Sequence, residues 1–222
     1  MRINNLVDND DWTQKEIEEQ LTSMKAITIP VNMQIQGQQR IFVLSEMEEI
    51  LKEAKLIALG ECGCRKRLKK CDKPLDVCIT LDKSAEEEVT KGNSKKVSLI
   101  EALEALKRSH ESGLVHIAYV IEGKKTPDLI YSCCSCCCQS MSALIRFGIP
   151  NAVTTSRYIA NDDPQTCINC GKCAERCQFK ARRMQDGKKA FDANHCFGCG
   201  LCVTTCPSGS ISLQERDAVS HC

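Results

Sequence analysis

The sequence predicts an α+β fold in two parts: a mixed domain over residues 1–150 with a cysteine-rich site, and a small cysteine-dominated domain over residues 160–214. Three observations predict it. Helical and strand periodicities alternate through the first 150 residues. The stretch 148–166, with Pro150, Pro164 and few large apolar residues, reads as a linker. Beyond it apolar periodicity fades, and two similar cysteine runs follow about 29 residues apart.

In chain order, residues 11–25 read as a helix, because Ile17, Leu21 and Met24 recur at helical spacing behind Asp10 and Asp11. Residues 26–44 read as strand-rich: Ile27, Ile29, Val31, Met33 and Ile35 alternate, and a turn at Gly37 leads to Ile41, Phe42 and Val43. Ser45 and Glu48 fit a capping box for a second helix bearing Met47, Ile50, Leu51, Ala54 and Ile57, which Gly60 would end. Residues 62–78 form a basic, cysteine-rich loop, and residues 83–96 are polar and expected at the surface. Ser98 with Glu101 opens another helix that stops near Gly113. Residues 116–121 and 129–131 are candidate strands, and residues 140–147 a short helix.

Composition narrows the function. The 222 residues carry a formal charge of +1, which gives no electrostatic basis for nucleic acid as a partner. Aromatic residues are few, with Trp12 the single tryptophan, so base-stacking platforms are not expected. No apolar run is long enough to span a bilayer, and the N-terminus lacks a signal-peptide pattern. Eighteen cysteines, about 8% of the chain, are the dominant feature. In a chain without an export signal such thiols meet a reducing cytoplasm and remain free for metal. A cytoplasmic protein of an anaerobic microbe is expected.

The first run is Cys167-x2-Cys170-x2-Cys173-x3-Cys177, and the second is Cys196-x2-Cys199-x2-Cys202-x3-Cys206-Pro207. Two-residue spacers let a tight loop aim three thiolates at one small cluster. A zinc ribbon would instead show two Cys-x-x-Cys pairs per ion. Residues 163–213 resemble the bacterial-type ferredoxins that hold two [4Fe-4S] clusters. The resemblance implies that Cys167, Cys170, Cys173 and Cys206 bind one cluster and Cys196, Cys199, Cys202 and Cys177 the other. Gln178 stands where that family usually has Pro, and a looser turn is expected there.

Nine more cysteines fall in two groups, Cys62, Cys64, Cys71, Cys78 and Cys133, Cys134, Cys136, Cys137, Cys138, with Cys222 at the C-terminus. Their order, with Gly113-Leu114-Val115-His116 between the groups, resembles a family of 4Fe-4S dicluster proteins of anaerobes. Adjacent cysteines diverge in extended chain, so members of both groups are expected to share a site. A third Fe–S cluster, a zinc ion and redox-active thiols are all open for it. The basic stretch Arg65, Lys66, Arg67, Lys69 and Lys70 reads as a solvated face, with a docking patch as the functional alternative.

The expected function is one-electron transfer, as a ferredoxin-type carrier or as the electron-transfer subunit of a larger oxidoreductase complex, with a redox protein as partner. The alternative is a redox enzyme whose N-terminal cysteine-bound cluster reduces a disulfide, a sulfur compound or another small substrate. Neither a Gly-x-Gly-x-x-Gly fingerprint nor a Walker phosphate loop occurs, so hydride chemistry is expected only on a partner.

Overall fold

The computed structural model describes residues 11–23, 26–27, 34–35, 37–41, 43–121, 127–150 and 152–216. Asp10, Met24, Ile29, Val31, Met33, Phe42 and Cys222, all considered above, lie outside them. Helix and strand are mixed throughout, as the α+β expectation requires.

The elements are α1 (Gln14–Ser23), β1 (Ala26–Ile27), β2 (Gln34–Ile35), β3 (Gly37–Ile41), α2 (Leu44–Glu53), β4 (Ile57–Glu61), α3 (Gly63–Leu68), β5 (Asp76–Leu81), α4 (Asp82–Thr90), β6 (Ser94–Val97), α5 (Leu99–Glu111), β7 (Val115–Ile121), β8 (Leu129–Cys133) and α6 (Gln139–Ile145). After these come β9 (Tyr158–Asp162), α7 (Lys172–Arg176), β10 (Arg182–Gln185), β11 (Lys188–Phe191), a 3-10 turn (Ala193–His195), α8 (Leu201–Thr205) and β12 (Ile211–Glu215).

A six-stranded antiparallel sheet in the order β3-β7-β8-β5-β4-β6 is the centre of the molecule. Side chains alternate across a strand, so each strand serves two faces. Leu59, Ile79, Leu81, Ala118 and Ile130 face α2 and α5, where they bury Met47, Leu51, Ala102 and Leu106. Each large apolar side chain buried there stabilises the fold by roughly 2 kcal/mol. The opposite face presents Val115, Ile117, Tyr131 and Cys133 to Met141 of α6 and to Val153, Phe179 and Leu201. The C-terminal cysteine segment therefore packs directly on the sheet.

Several local expectations hold. The Ser98 hydroxyl accepts from the Glu101 N–H, and the Glu101 carboxylate accepts from the Ser98 N–H at 2.8 Å. Gly113 follows α5 in the left-handed region at φ +75°.

Others are corrected. The second helix ends at Glu53, and Ile57 to Gly60 belong to β4, because Ile57 and Leu59 bury against α5 better as strand residues. Its N-terminus also lies two residues earlier, where the Glu46 carboxylate accepts from the Val43 N–H at 3.1 Å. Gly37 begins β3, which pairs with β7, while β1 pairs with β2. The cysteine-rich loop contains α3. The polar stretch 83–96 is largely exposed, as expected, and lies in α4 and β6. The expected linker contains β9, which pairs with β12 and closes the C-terminal segment.

Candidate functional site

The two cysteine runs fold as near copies. Gly171 and Gly200 both stand at φ +79° and start α7 and α8; Cys177 and Cys206 end them at φ −74° and −73°. Both glycines need that left-handed turn, which costs other residues about 1 kcal/mol. The helices α7 and α8 pack together, so each final cysteine is carried toward the other run.

Two pockets result. Cys196, Cys199, Cys202 and Cys177 line one, with Phe179, Phe191 and Leu213 among its walls. Cys167, Cys170, Cys173 and Cys206 line the other, with Ser208 and Ser210 beside them. Four soft thiolate donors around a small cradle of turn backbone suit an Fe–S cluster.

The thiols of the two pockets differ in their surroundings. Burial pushes the Cys202 thiol up to about 11 and Cys199 higher still in the first. In the second, Cys170 is exposed, and the Cys206 sulfur lies 3.2 Å from the Ser210 hydroxyl and 3.5 Å from that of Ser208. Burial would raise Cys206, but Ser210 and Ser208 outweigh it and bring it down to about 7.

Arg182, which sequence reasoning missed, stands at the first pocket with its guanidinium buried. It donates to both Asp162 oxygens at 2.9 and 3.0 Å, and its charge acts on Cys202 and Cys173. An alternating strand pattern gives no sign of such a residue; only the β9–β12 pairing positions Asp162 beside it.

Residues 159–217 match the 4Fe-4S dicluster domain family. This domain accounts for about a quarter of the chain, and the relatives match over the same share. An iron-sulfur protein of Rhodospirillum rubrum is 36% identical over 60 residues, 26% of this chain and 32% of its own. An uncharacterized ferredoxin of Methanocaldococcus jannaschii is 35% identical over 57 residues, 25% of this chain and 38% of its own. A pyruvate synthase subunit of Thermotoga maritima is 34% identical over 53 residues, 23% of this chain and 54% of its own. The chain thus spans about a third of the length of the first two relatives. The dicluster domain supports Fe–S clusters and electron transfer. Among the described residues no helix is long and apolar enough to cross a membrane.

The nine other cysteines separate into two groups. Cys71 from the loop after α3 meets Cys134, Cys136 and Cys137 from the turn after β8, with all four sulfurs within 4.8 Å of one another. Cys62, Cys64 and Cys78 lie together, and Cys133, 2.9 Å from Cys138 through sulfur, is within electrostatic reach of Cys64 and Cys78. Each set draws cysteines from both stretches of sequence.

Arg65 lies between the two groups and is 1% exposed, which corrects its reading as part of a solvated face. Its Nε donates to the Pro74 carbonyl at 3.0 Å and its Nη1 to the Ser132 carbonyl at 2.9 Å, with the Cys134 sulfur at 3.8 Å. Burial would weaken its hold on the proton, but Cys62 and Cys134 reverse the sign and keep it charged. Three of the four neighbouring cations are paired: Lys66 with Glu61, Arg67 with Glu16 and Lys70 with Asp11, each at 2.5 Å. A sequence reading assigns such a run to solvent because burying a charge is costly; the acceptors that permit it come from Pro74 and Ser132, distant in the chain.

A groove of about 690 Å³ reaches Cys78 and Tyr131 between β4, β5 and α4. Phe179 and Phe197, stacked at 4.4 Å, fill the space between the first ferredoxin-run pocket and the Cys133–Cys138 pair.

Proposed function

We propose that this chain transfers single electrons through two [4Fe-4S] clusters, one held by Cys167, Cys170, Cys173 and Cys206 and the other by Cys196, Cys199, Cys202 and Cys177. The observation that carries the reading is that the eight cysteines line two pockets in those interleaved sets. When bound, each cluster accepts and returns one electron. The chain's residues set the difference between the sites. Ser208 and Ser210 stabilise added negative charge at Cys206, and the Arg182 cation does so at Cys202 and Cys173. The exposure of Cys170 favours its site as the point of exchange with a redox protein partner.

We further read the chain as a ferredoxin-like domain over residues 160–214 fused to a cysteine-rich domain over residues 1–150, working as a carrier or as a subunit of a larger oxidoreductase complex in an anaerobe's cytoplasm. The likeness to a pyruvate synthase subunit supports the subunit form. The test is electron paramagnetic resonance of the anaerobically purified, reduced full chain. Two magnetically interacting [4Fe-4S] signals are expected; a single isolated signal, or none, contradicts the reading.

One observation favours the enzyme alternative. The groove is lined by Cys78, which lies with Cys62 and Cys64 and within electrostatic reach of Cys133, thiols suited to a third Fe–S cluster. A site so placed would reduce a disulfide, a sulfur compound or another small substrate in the groove. A third paramagnetic species lost in Cys62→Ser, with the other signals retained, supports it; a reduced chain with only the interacting pair counts against it.

A further inference from the structure

The sulfur–sulfur spacing among Cys71, Cys134, Cys136 and Cys137 is too short for a cubane and fits one metal ion. Their four Sγ atoms lie within 4.8 Å of one another, with Cys71 3.9 Å from Cys134 and 4.0 Å from Cys137. A tetrahedron with zinc–sulfur bonds of about 2.3 Å has edges of about 3.8 Å. A cubane places iron and sulfide between its cysteine sulfurs and holds them farther apart. The molecule contains its own comparison: among the described residues, no set of ferredoxin-run cysteines gathers its sulfurs within 4.8 Å, although each lines a common pocket.

We propose that Cys71, Cys134, Cys136 and Cys137 form a closed tetrathiolate site for a single zinc ion, separate from any Fe–S cluster. Four thiolates are a closed set suited to a structural ion, with no open position for substrate. The surroundings fit that role. Cys134 and Cys137 are fully buried, and Cys71 and Cys136 half-buried. Arg65, beside Cys134, offsets part of the negative charge that four thiolates and one dication leave. Trp12 closes the site from outside, its Nε1 donating to the Cys137 carbonyl at 2.9 Å. The turn at residues 135–137 allows neighbouring Cys136 and Cys137 to reach the same point, which extended chain would forbid. The ion would fasten the segment after α3 to the turn that leads into α6.

Once these four bind one ion, Cys62, Cys64 and Cys78 remain packed beside them, and Cys133 and Cys138 lie against the sheet.

The experiment is metal analysis with zinc-edge X-ray absorption on the anaerobically purified full chain. About one zinc per chain is expected, with four sulfur neighbours at about 2.3 Å and no second metal atom close by. In Cys136→Ser, zinc should pass to a competing chelator at least roughly tenfold more readily, with iron and sulfide per chain unchanged. If that variant does not fold, the absorption spectrum of the unaltered chain decides alone. A zinc-free chain, a zinc neighboured by iron, or a folded Cys136→Ser protein that holds zinc as firmly as before overturns the proposal. Zinc reports on this site, whereas iron and sulfide report on the ferredoxin-like segment, so failure of either is separately visible.

Discussion

Gln178 Oε1 accepts hydrogen bonds from both the N–H of Ser135, at 3.0 Å, and its hydroxyl, at 2.8 Å. Its Nε2 donates to the Gly113 carbonyl at 2.9 Å. The residue that follows Cys177 thus ties the ferredoxin run to the turn bearing Cys134 to Cys138 and to the end of α5. The looser turn expected from the missing proline is a fastening instead. Gln178→Ala should cost about 1–3 kcal/mol by leaving partly buried Ser135 and Gly113 groups without their partner. Denaturant midpoints measure this; unchanged stability would show that the contact contributes nothing.

Ser210→Ala removes a hydroxyl 3.2 Å from the Cys206 sulfur. A hydrogen bond to sulfur favours the more negative, reduced site, so its loss should lower one of two potentials by on the order of 40 mV, the equivalent of about 1 kcal/mol for one electron. A redox titration followed by paramagnetic resonance reads it. A shift upward, or equal shifts in both centres, would contradict the assignment of Cys206 to one site.

Gly198 stands at φ +68°, and a Cβ there would collide with the Tyr158 carbonyl and the Ser156 hydroxyl. Gly92, at φ +73°, has open space around it. Gly92→Ala should therefore cost only about 1 kcal/mol, and Gly198→Ala several times that, with loss of iron. Similar unfolding midpoints for the two variants would mean that β9 does not seat against the loop of Gly198.

His116 is buried in β7, 3.2 Å from the Ser132 hydroxyl and stacked on His110. Burial, then the charge of His110, lower it from 6.5 to about 3. The unfolded chain therefore takes up this proton first as pH falls. Stability is complete above pH 6.5 and declines on the way to pH 3, by about 2 kcal/mol at pH 5. His110, lowered by burial and Arg176, acts in the same direction. Denaturation at pH 7 and pH 5 should show the loss, and His116→Gln should reduce it by about half or more. Identical slopes in variant and parent would assign the acid sensitivity elsewhere.

Local sequence signals carried much of the fold. The Ser98–Glu101 box and Gly113 marked the two ends of α5, and the cysteine spacing marked two metal loops. The errors arose where distant residues decide. Gly60 looks like a helix stop, yet it lies in β4, where a Cβ would collide with the Ser94 hydroxyl. Arg65 looks exposed because its acceptors, Pro74 and Ser132, are invisible to a local pattern. The convergence of Cys134, Cys136 and Cys137 on Cys71 depends on how the turn at 135–137 directs their sulfurs, which spacing alone does not encode.

Quantitation of iron and acid-labile sulfide in the full chain, isolated without oxygen, tests the central claim most directly. Two interleaved thiolate cages predict at least about eight iron and eight sulfide per chain, with both numbers falling in Cys177→Ser and in Cys206→Ser. A folded, colourless chain carrying no sulfide, or one with its eight C-terminal thiols joined as disulfides, would contradict it.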